Sequence, residues 1–376
     1  MSDLFMAPAS VIVRGFPVDL THLIEEFVEQ WNGDEGDTLA LIAQFASGLS
    51  GVSHAQIIEL TTRKLIISVA TDEGPLNVAM DFEEEEVGSI AELQAVLMGL
   101  LRRARESVGR DLPKTGLERE IARTRDLPTF VTRVLRSQSV SPLIREVTFG
   151  GGLENFVSIA PDQFVYVLAE KIGQKGLIRE GVTMAQLVSG READRPAAAY
   201  YTVRRHRPDT GELDLWFVLH EHATGISGWA ERVQPGDSAA FWGPRSSFDQ
   251  PEGTTDLLLF GDETAFPAIA AILESSDNPA HVVVETVDET HKIELSDRPD
   301  VRIDWLFRYD TPAPQSTQLL DGVRRACSQW SSGTYAFGAA EATPIKEVRR
   351  YLRQLGAGPK DLKLVPYWNS QRALNP

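Results

Sequence analysis

The sequence predicts a multi-domain chain: an N-terminal α+β domain, then an antiparallel β-barrel, then a C-terminal α/β domain around a parallel sheet. Three observations lead there. The chain has 376 residues, more than one ordinary hydrophobic core accommodates. Two helical-period stretches frame three short β-type runs before residue 110. Beyond residue 129, short alternating runs at regular spacing give way near residue 249 to apolar strands separated by helical stretches.

The first domain spans residues 1–110. Leu20, Leu23, Ile24, Phe27 and Trp31 recur at helical spacing, and a second helical run follows from Leu39 to Leu49. Ala55–Leu60, Leu65–Ala70 and Leu76–Phe82 read as strands. Ser89 is an N-cap candidate with Glu92 three residues on, ahead of the stripe Leu93, Val96, Leu97, Leu100 and Leu101. Residues 111–128 hold Pro113, Gly116, Pro128 and many charges, and read as a linker.

The second domain spans residues 129–248. Val131–Leu135, Ile144–Phe149, Phe164–Leu168, Tyr200–Val203 and Leu215–Leu219 alternate as strands of an antiparallel barrel do. The segment 173–196 interrupts them as an insertion. The third domain spans residues 249–376. Its strands Leu257–Phe260, Val282–Val287, Ile303–Phe307 and Tyr335–Phe337 alternate with helical stretches Phe266–Leu273, Leu319–Trp330 and Pro344–Leu355, the pattern of βαβ units. A barrel followed by a parallel α/β domain suggests a cofactor held at the carboxyl ends of the parallel strands.

Composition narrows the function. Apolar residues make up 42% and charged residues 24% of the chain, and no apolar run is long enough to span a membrane. Met1 to Gly15 lack the basic start and long apolar stretch of a signal peptide, so a cytoplasmic location is expected. Cys327 is the only cysteine, too few for an internal disulfide, an iron–sulfur cluster or a cysteine zinc site. Redox chemistry therefore requires a bound cofactor. The net charge is −17, and residues 1–110 carry 18 acidic against 7 basic side chains. Such a surface repels phosphate backbones, so nucleic acid is not expected as a partner.

Four segments carry candidate chemistry. In Tyr200-Tyr201-Thr202-Val203-Arg204, an aromatic ring suits contact with a flavin, a neighbouring hydroxyl suits a hydrogen bond near its N5, and an arginine suits phosphate. An ordinary barrel strand has the same composition. Around His220 and Gly225-Ile226-Ser227-Gly228-Trp229, glycine and serine open an amphipathic helix whose free amides suit a pyrophosphate, or simply begin a capped helix. Gly236-Asp237 and Trp242-Gly243-Pro244-Arg245 read as turns. In Phe260-Gly261-Asp262-Glu263-Thr264, a buried strand ends in a glycine turn before a helix capped by Asp262 or Thr264, which places backbone amides at the sheet's carboxyl edge. It lacks the Gly-x-Gly-x-x-Gly spacing, so spacing alone identifies no nucleotide.

Taken in order, Tyr201-Thr202-Val203-Arg204, Val218-Leu219-His220, Trp229-Ala230, Pro235-Gly236-Asp237, Gly243-Pro244-Arg245 and Gly261-Asp262-Glu263-Thr264-Ala265-x-Pro267-Ala268-Ile269 resemble the siderophore-interacting protein family. These are FAD-dependent ferric-siderophore reductases of the ferredoxin–NADP reductase group. The resemblance runs from about Phe130 to Trp368. It implies that the barrel binds FAD and the α/β domain binds NADPH or NADH. Tyr201 would contact the isoalloxazine, Thr202 would bond near N5, and Val203 and Arg204 would help fix the FAD. His220, Gly225, Ser227, Gly228 and Trp229 would surround its pyrophosphate. Gly261, Asp262, Glu263 and Thr264 would open the nicotinamide domain, with Glu341 and Trp368 matching the late acidic residue and the C-terminal aromatic pair. The implied substrate is a ferric siderophore or similar chelate, for which Lys346, Arg350, Arg353 and Lys363 form the densest cationic region of the chain. A solvated helix face explains the same charges.

The chain departs from the family pattern at four positions. Ala199 stands where an FAD-binding arginine is usual, a change that Arg204 or Arg205 would offset. Ile226, Ala340 and Asn369 replace a proline, a glycine and a basic residue. Two other readings follow from these departures: a flavoenzyme for an organic substrate, and a siderophore- or haem-binding protein without catalytic flavin. The N-terminal domain is similar to a small domain of haem-utilisation proteins at Trp31-Asn32 and along Ser89–Ser107, but lacks that family's histidine. His54 is the candidate ligand there, although a lone histidine is far more often a surface or packed residue.

Overall fold

A computed structural model describes residues 11–71, 74–82, 86–125, 127–171, 173–189, 191, 194–220 and 225–370. The chain divides into two compact units, Met1–Asp126 and Leu127–Pro376.

In the first unit, β1 (Ile12–Arg14), β2 (Ala55–Thr61), β3 (Lys64–Thr71) and β4 (Gly74–Asp81) form a sheet in that order, with β1 parallel to β2 and the other pairs antiparallel. Helices α1 (Val18–Asp34), α2 (Gly36–Ser47) and α3 (Ile90–Ser107) supply the apolar faces that cover it. Ile24, Val28, Leu39, Ile42, Leu93 and Leu97 pack on Ile57, Leu60, Leu65 and Ile67, all essentially without exposure. Ser89 caps α3 by accepting the Glu92 amide, and Glu92 accepts the Gly88 amide in return.

The stretch expected as a linker is part of this unit. Residues Gly116–Arg125 form α4. Thr115 and Glu118 cap its first turn reciprocally, Arg105 pairs with Glu118, and the Gly116 amide donates to Asp37. Pro113 and Gly116 mark the start of a helix here, not a break between domains.

Asn32 is structural. Its amide donates to the Ile57 carbonyl at 2.8 Å and its oxygen accepts the Ile57 amide at 2.7 Å, so the side chain completes the β2 ladder like a strand neighbour. His54 is exposed and lies over Gly36, where an added Cβ would fall 1.9 Å from the ring. Replacing Asn32 by alanine strips both bonds, and about 2 kcal/mol of stability should be lost in urea titrations of the whole chain. An unchanged midpoint would show that water replaces both bonds without penalty.

The second unit begins with a closed antiparallel barrel of strand order β10-β5-β6-β9-β8-β7. Its strands are β5 (Thr129–Ser141), β6 (Ile144–Gly150), β7 (Phe164–Ala169), β8 (Ala197–Arg207), β9 (Glu212–Val218) and β10 (Ser238–Arg245). Val147, Phe149, Val165, Leu213, Phe217 and Phe241 fill it, and α6 (Gly225–Arg232) adds Ile226 and Ala230 to the same core. The 173–196 insertion lies on the barrel's outer wall. It carries α5 (Met184–Val188) and packs Ile178, Val182 and Leu187 on Leu168 and Ala240.

A five-stranded parallel sheet follows in the order β13-β12-β11-β14-β15. Its strands are β11 (Asp256–Gly261), β12 (Ala280–Thr286), β13 (Val301–Phe307), β14 (Thr334–Glu341) and β15 (Leu362–Trp368). Helix α7 (Phe266–Ser275) covers one face, and α8 (Gln318–Ala326) and α9 (Ala342–Gln354) cover the other. The chain order reverses between β11 and β14, which opens a crevice at their carboxyl ends, where doubly wound sheets bind ligands. Among the described residues, no helix is long and apolar enough to cross a membrane.

Candidate functional site

Strand alternation sorts the residues of β8. Ala199, Tyr201 and Val203 turn toward the barrel core, while Thr202 and Arg204 turn outward. The Tyr201 ring lies 4.4 Å from that of Phe217, and burial pushes its hydroxyl pKa far up. Val203 is itself a core residue, donating its amide to the Gln163 carbonyl at 2.8 Å.

Thr202 faces Tyr367 of β15, so barrel and sheet meet at this hydroxyl. Tyr367 Oη is fully buried beside Thr202 and makes no hydrogen bond of standard geometry, and burial pushes its pKa far up. Thr202 lies close enough to pull that pKa partly back, so the two hydroxyls face each other at the junction of barrel and sheet.

Arg204 does not stand free for a phosphate. Its guanidinium grips Glu274 of α7 with both terminal nitrogens, at 2.9 and 2.6 Å, and lies over the Trp216 ring at 4.9 Å. Arg205 reaches the same carboxylate at 2.9 Å. Glu274 is held below the usual carboxylate range, burial working against the opposing pull of the two arginines. The two cations expected to stand in for the arginine missing at Ala199 are thus committed to Glu274, because Glu274 offers them a bidentate partner 70 residues away in sequence.

Helix α6 closes one side of the barrel. Ser227 Oγ donates to the Val218 carbonyl at 2.9 Å, Gly228 is buried, and Trp229 lies parallel to Phe149 at 6.3 Å. These three anchor the helix. Gly225 alone stands at an open position, with φ at 68° and nothing within 4 Å of an added Cβ. His220 follows β9 within electrostatic reach of Glu263 and Arg308. It keeps access to solvent, yet enough protein surrounds the ring to lower its pKa.

At the carboxyl edge of the parallel sheet, Asp262 binds three strand ends together. One oxygen accepts the Thr264 amide at 2.9 Å, as the expected cap does. The other accepts the Glu341 amide at 3.1 Å and the Trp368 indole N–H at 2.8 Å. Burial, with Glu263 beside it, pushes the Asp262 pKa up to about 6. Glu263 turns the other way, to Thr286 Oγ1 at 3.0 Å and to both terminal nitrogens of Arg308 at 3.0 and 2.8 Å. Glu285 completes this network, accepting Ser316 Oγ at 2.7 Å with Arg308 at 3.9 Å, and its pKa is raised, chiefly by burial. Glu341 folds back on the start of α9, accepting the Thr343 amide at 2.6 Å and Ser370 Oγ at 3.1 Å.

The structure therefore gathers Thr202, Asp262, Thr264, Glu341 and Trp368, with Tyr367 among them, at the crevice. Trp368 is held by Asp262. Lys346, Arg350 and Arg353 lie on successive turns of one face of α9, with Arg350 and Arg353 exposed. Lys363 is not with them. Its neighbours Leu362 and Leu364 pack toward α9, so alternation along β15 turns Lys363 to the other face of the sheet. Sequence reading passed over Glu274, Glu285 and Arg308. Only Arg308 gave a sign, a charge placed directly after an alternating strand that ends at the sheet's carboxyl edge.

Three features fit FAD: the open position at Gly225 on the α6 N-terminus, the buried Tyr367 hydroxyl, and Thr202 opposite it. Among the described residues, no group of three or more His, Cys, Asp or Glu side chains is arranged to hold a metal ion.

Comparison with known proteins agrees with this geometry. Residues 133–248 match the siderophore-interacting FAD-binding domain, and residues 254–371 match the siderophore-interacting protein domain. The chain is 31% identical over 177 residues to the ferric vibriobactin reductase ViuB of Vibrio cholerae, covering 46% of this chain and 65% of that protein. It is 34% identical over 181 residues to the mycobactin import ATP-binding/permease protein IrtA of Mycolicibacterium smegmatis, spanning 46% of this chain but only 20% of the transporter. The crystal structure of a siderophore utilization protein from T. fusca superposes with a TM-score of 0.57 at 25% identity, covering 65% of this chain and 93% of that one. Barrel, parallel sheet and the crevice residues all fall in the matched region, and through it the chain belongs to the siderophore-interacting protein family.

Proposed function

We propose that this chain reduces ferric siderophores or similar ferric chelates, using FAD and a nicotinamide electron donor. The observation that carries the reading is the meeting of Thr202 with the buried Tyr367 hydroxyl, beside Trp368, at the switch point of a parallel sheet. FAD held beside Gly225, Thr202 and Tyr367 would supply two-electron acceptance from the nicotinamide and one-electron delivery to each of two Fe(III) chelates. Hard oxygen ligands hold Fe(III) far more tightly than Fe(II), so reduction frees the metal.

The chain's own residues position the reactants. Gly225 leaves room for a phosphate at the α6 N-terminus, where the helix dipole offsets its charge. With Arg204 and Arg205 bound to Glu274, that N-terminus carries more of the task than an arginine-bearing relative requires. Thr202 and Tyr367 offer hydroxyls to the flavin ring system. Asp262 fixes the Trp368 indole, so the aromatic beside Tyr367 does not swing. Lys346, Arg350 and Arg353 present positive charge to an anionic chelate.

The test is an anaerobic titration of the FAD-loaded protein. NADH or NADPH should bleach the flavin absorbance, and a ferric catecholate or hydroxamate should restore it. Failure of every ferric chelate to restore it, with an organic acceptor succeeding, would favour the flavoenzyme for an organic substrate. In the same assay the Arg350→Ala, Arg353→Ala double variant should raise KM for an anionic ferric chelate about tenfold, the effect of about 1.4 kcal/mol. Reduction of a neutral dye should be unchanged. Equal effects on both acceptors would remove these arginines from docking.

A further inference from the structure

The reading above leaves the nicotinamide donor open, and the sheet edge beyond β12 bears on it. In a doubly wound sheet of this order the ribose next to the adenine lies at the carboxyl end of the second strand. A carboxylate there accepts hydrogen bonds from the free 2′-hydroxyl of NADH, whereas a cation accommodates the 2′-phosphate of NADPH. Here β11 is the first strand and β12 the second.

The charges at that edge are one-sided. Asp288 and Glu289 follow β12 after one residue, Val287. Asp288 Oδ1 accepts the Thr290 amide and hydroxyl and faces His291 Nδ1, each within 2.8 Å, and these bonds hold its pKa below the usual carboxylate range. Glu289 is exposed and accepts the Tyr309 hydroxyl at 2.9 Å. Two buried carboxylates stand at the same strand end, Glu285 within β12 and Glu263 bonded to Thr286.

Among the described residues, the basic side chains nearby already have partners. Arg308 is engaged by Glu263 and Glu285, and its side chain is 13% exposed. His291 faces Asp288, and Lys292 lies over the Phe307 ring at 5.3 Å and the Trp305 ring at 5.9 Å. A dianionic phosphate arriving here would meet carboxylates and, among the described residues, an Arg308 guanidinium already committed to Glu263 and Glu285, and like-charge juxtaposition of this kind is strongly unfavourable.

We infer that Asp288 and Glu289 select NADH over NADPH as the electron donor. This rests on the proposal that the crevice takes a nicotinamide nucleotide at all, so its test separates the two. FAD-loaded protein, with its flavin site filled, is titrated calorimetrically with ADP-ribose and with 2′-phospho-ADP-ribose. ADP-ribose should bind at least tenfold more tightly, and Glu289→Arg should shrink that ratio at least fivefold by strengthening the phosphorylated ligand. Asp288→Asn keeps an oxygen for the Thr290 turn and should shrink the ratio in the same direction, which guards against a variant that misfolds locally. Equal affinities, or tighter binding of the phosphorylated ligand by the parent chain, would overturn the inference and leave the nicotinamide reading standing. Binding of neither ligand would overturn both.

Discussion

Arg308→Ala should destabilise the second unit by about 3–5 kcal/mol at pH 7.5, because it leaves Glu263 and Glu285 buried without their counter-charge. The loss should shrink as the pH falls, because Glu285, whose pKa burial already raises, takes up a proton more readily without Arg308. The parent chain already leans this way. Asp262 and Glu285 both titrate above their unfolded values, mainly through burial. Their contribution to stability is therefore full below about pH 4 and declines as the pH rises through about 6, the folded value for Asp262. The variant steepens that decline. Urea titrations of parent and variant at pH 5.5 and 7.5 read the effect directly. A loss below about 1 kcal/mol, or an equal loss at both pH values, would mean that water and not Arg308 neutralises this edge.

The second large effect concerns the turn after β11. A Cβ on Gly261 would stand 2.1 Å from the Ala339 carbonyl oxygen and 2.4 Å from Ala265 Cβ. The first obstacle is backbone of the adjoining strand, which cannot rotate away. Gly261→Ala should therefore cost about 3 kcal/mol, the upper end of ordinary overpacking, and Gly261→Val should yield no folded protein. Gly322 provides the comparison. There an added Cβ meets the Leu306 Cδ1 and Val283 Cγ1 atoms at 2.5 and 2.7 Å, ends of side chains that can shift, so Gly322→Ala should cost about 1 kcal/mol. Equal denaturation midpoints for the two alanine variants would refute the distinction. The close approach matters because it brings Asp262 within reach of the Glu341 amide.

Elements with a clean period were legible before any coordinates. The helix from Ser89, its cap, and the strands around Ile57, Phe149, Leu259 and Val283 all announce themselves by apolar spacing. Strand β10 did not, because Gly243 and Pro244 interrupt it and read as a turn, although Ala239–Phe241 pair on both sides within the barrel. Strand β15 was hidden by Pro366, which reads as a break. Helix α4 was hidden by its high charge and by the proline and glycine before it.

Among the candidate residues, order along the chain carried the family signal, but partners did not show. Arg204 meets Glu274 70 positions away, Glu263 meets Arg308 45 away, and Asp262 meets Trp368 106 away. Periodicity describes which way a side chain faces and says nothing of what it finds there. An arginine that suits phosphate also suits a carboxylate, and only the fold decides which arrives.

The bond from Asp262 to the Trp368 indole makes two distant positions into one heritable unit. Once Asp262 has been replaced, the Trp368 indole has lost its acceptor, and a second change there should do less harm than it does alone, although Asp262 keeps the Thr264 and Glu341 amides when Trp368 goes. In lineages descended from this chain the two positions should drift together, and a double-mutant cycle should show their effects to be markedly sub-additive.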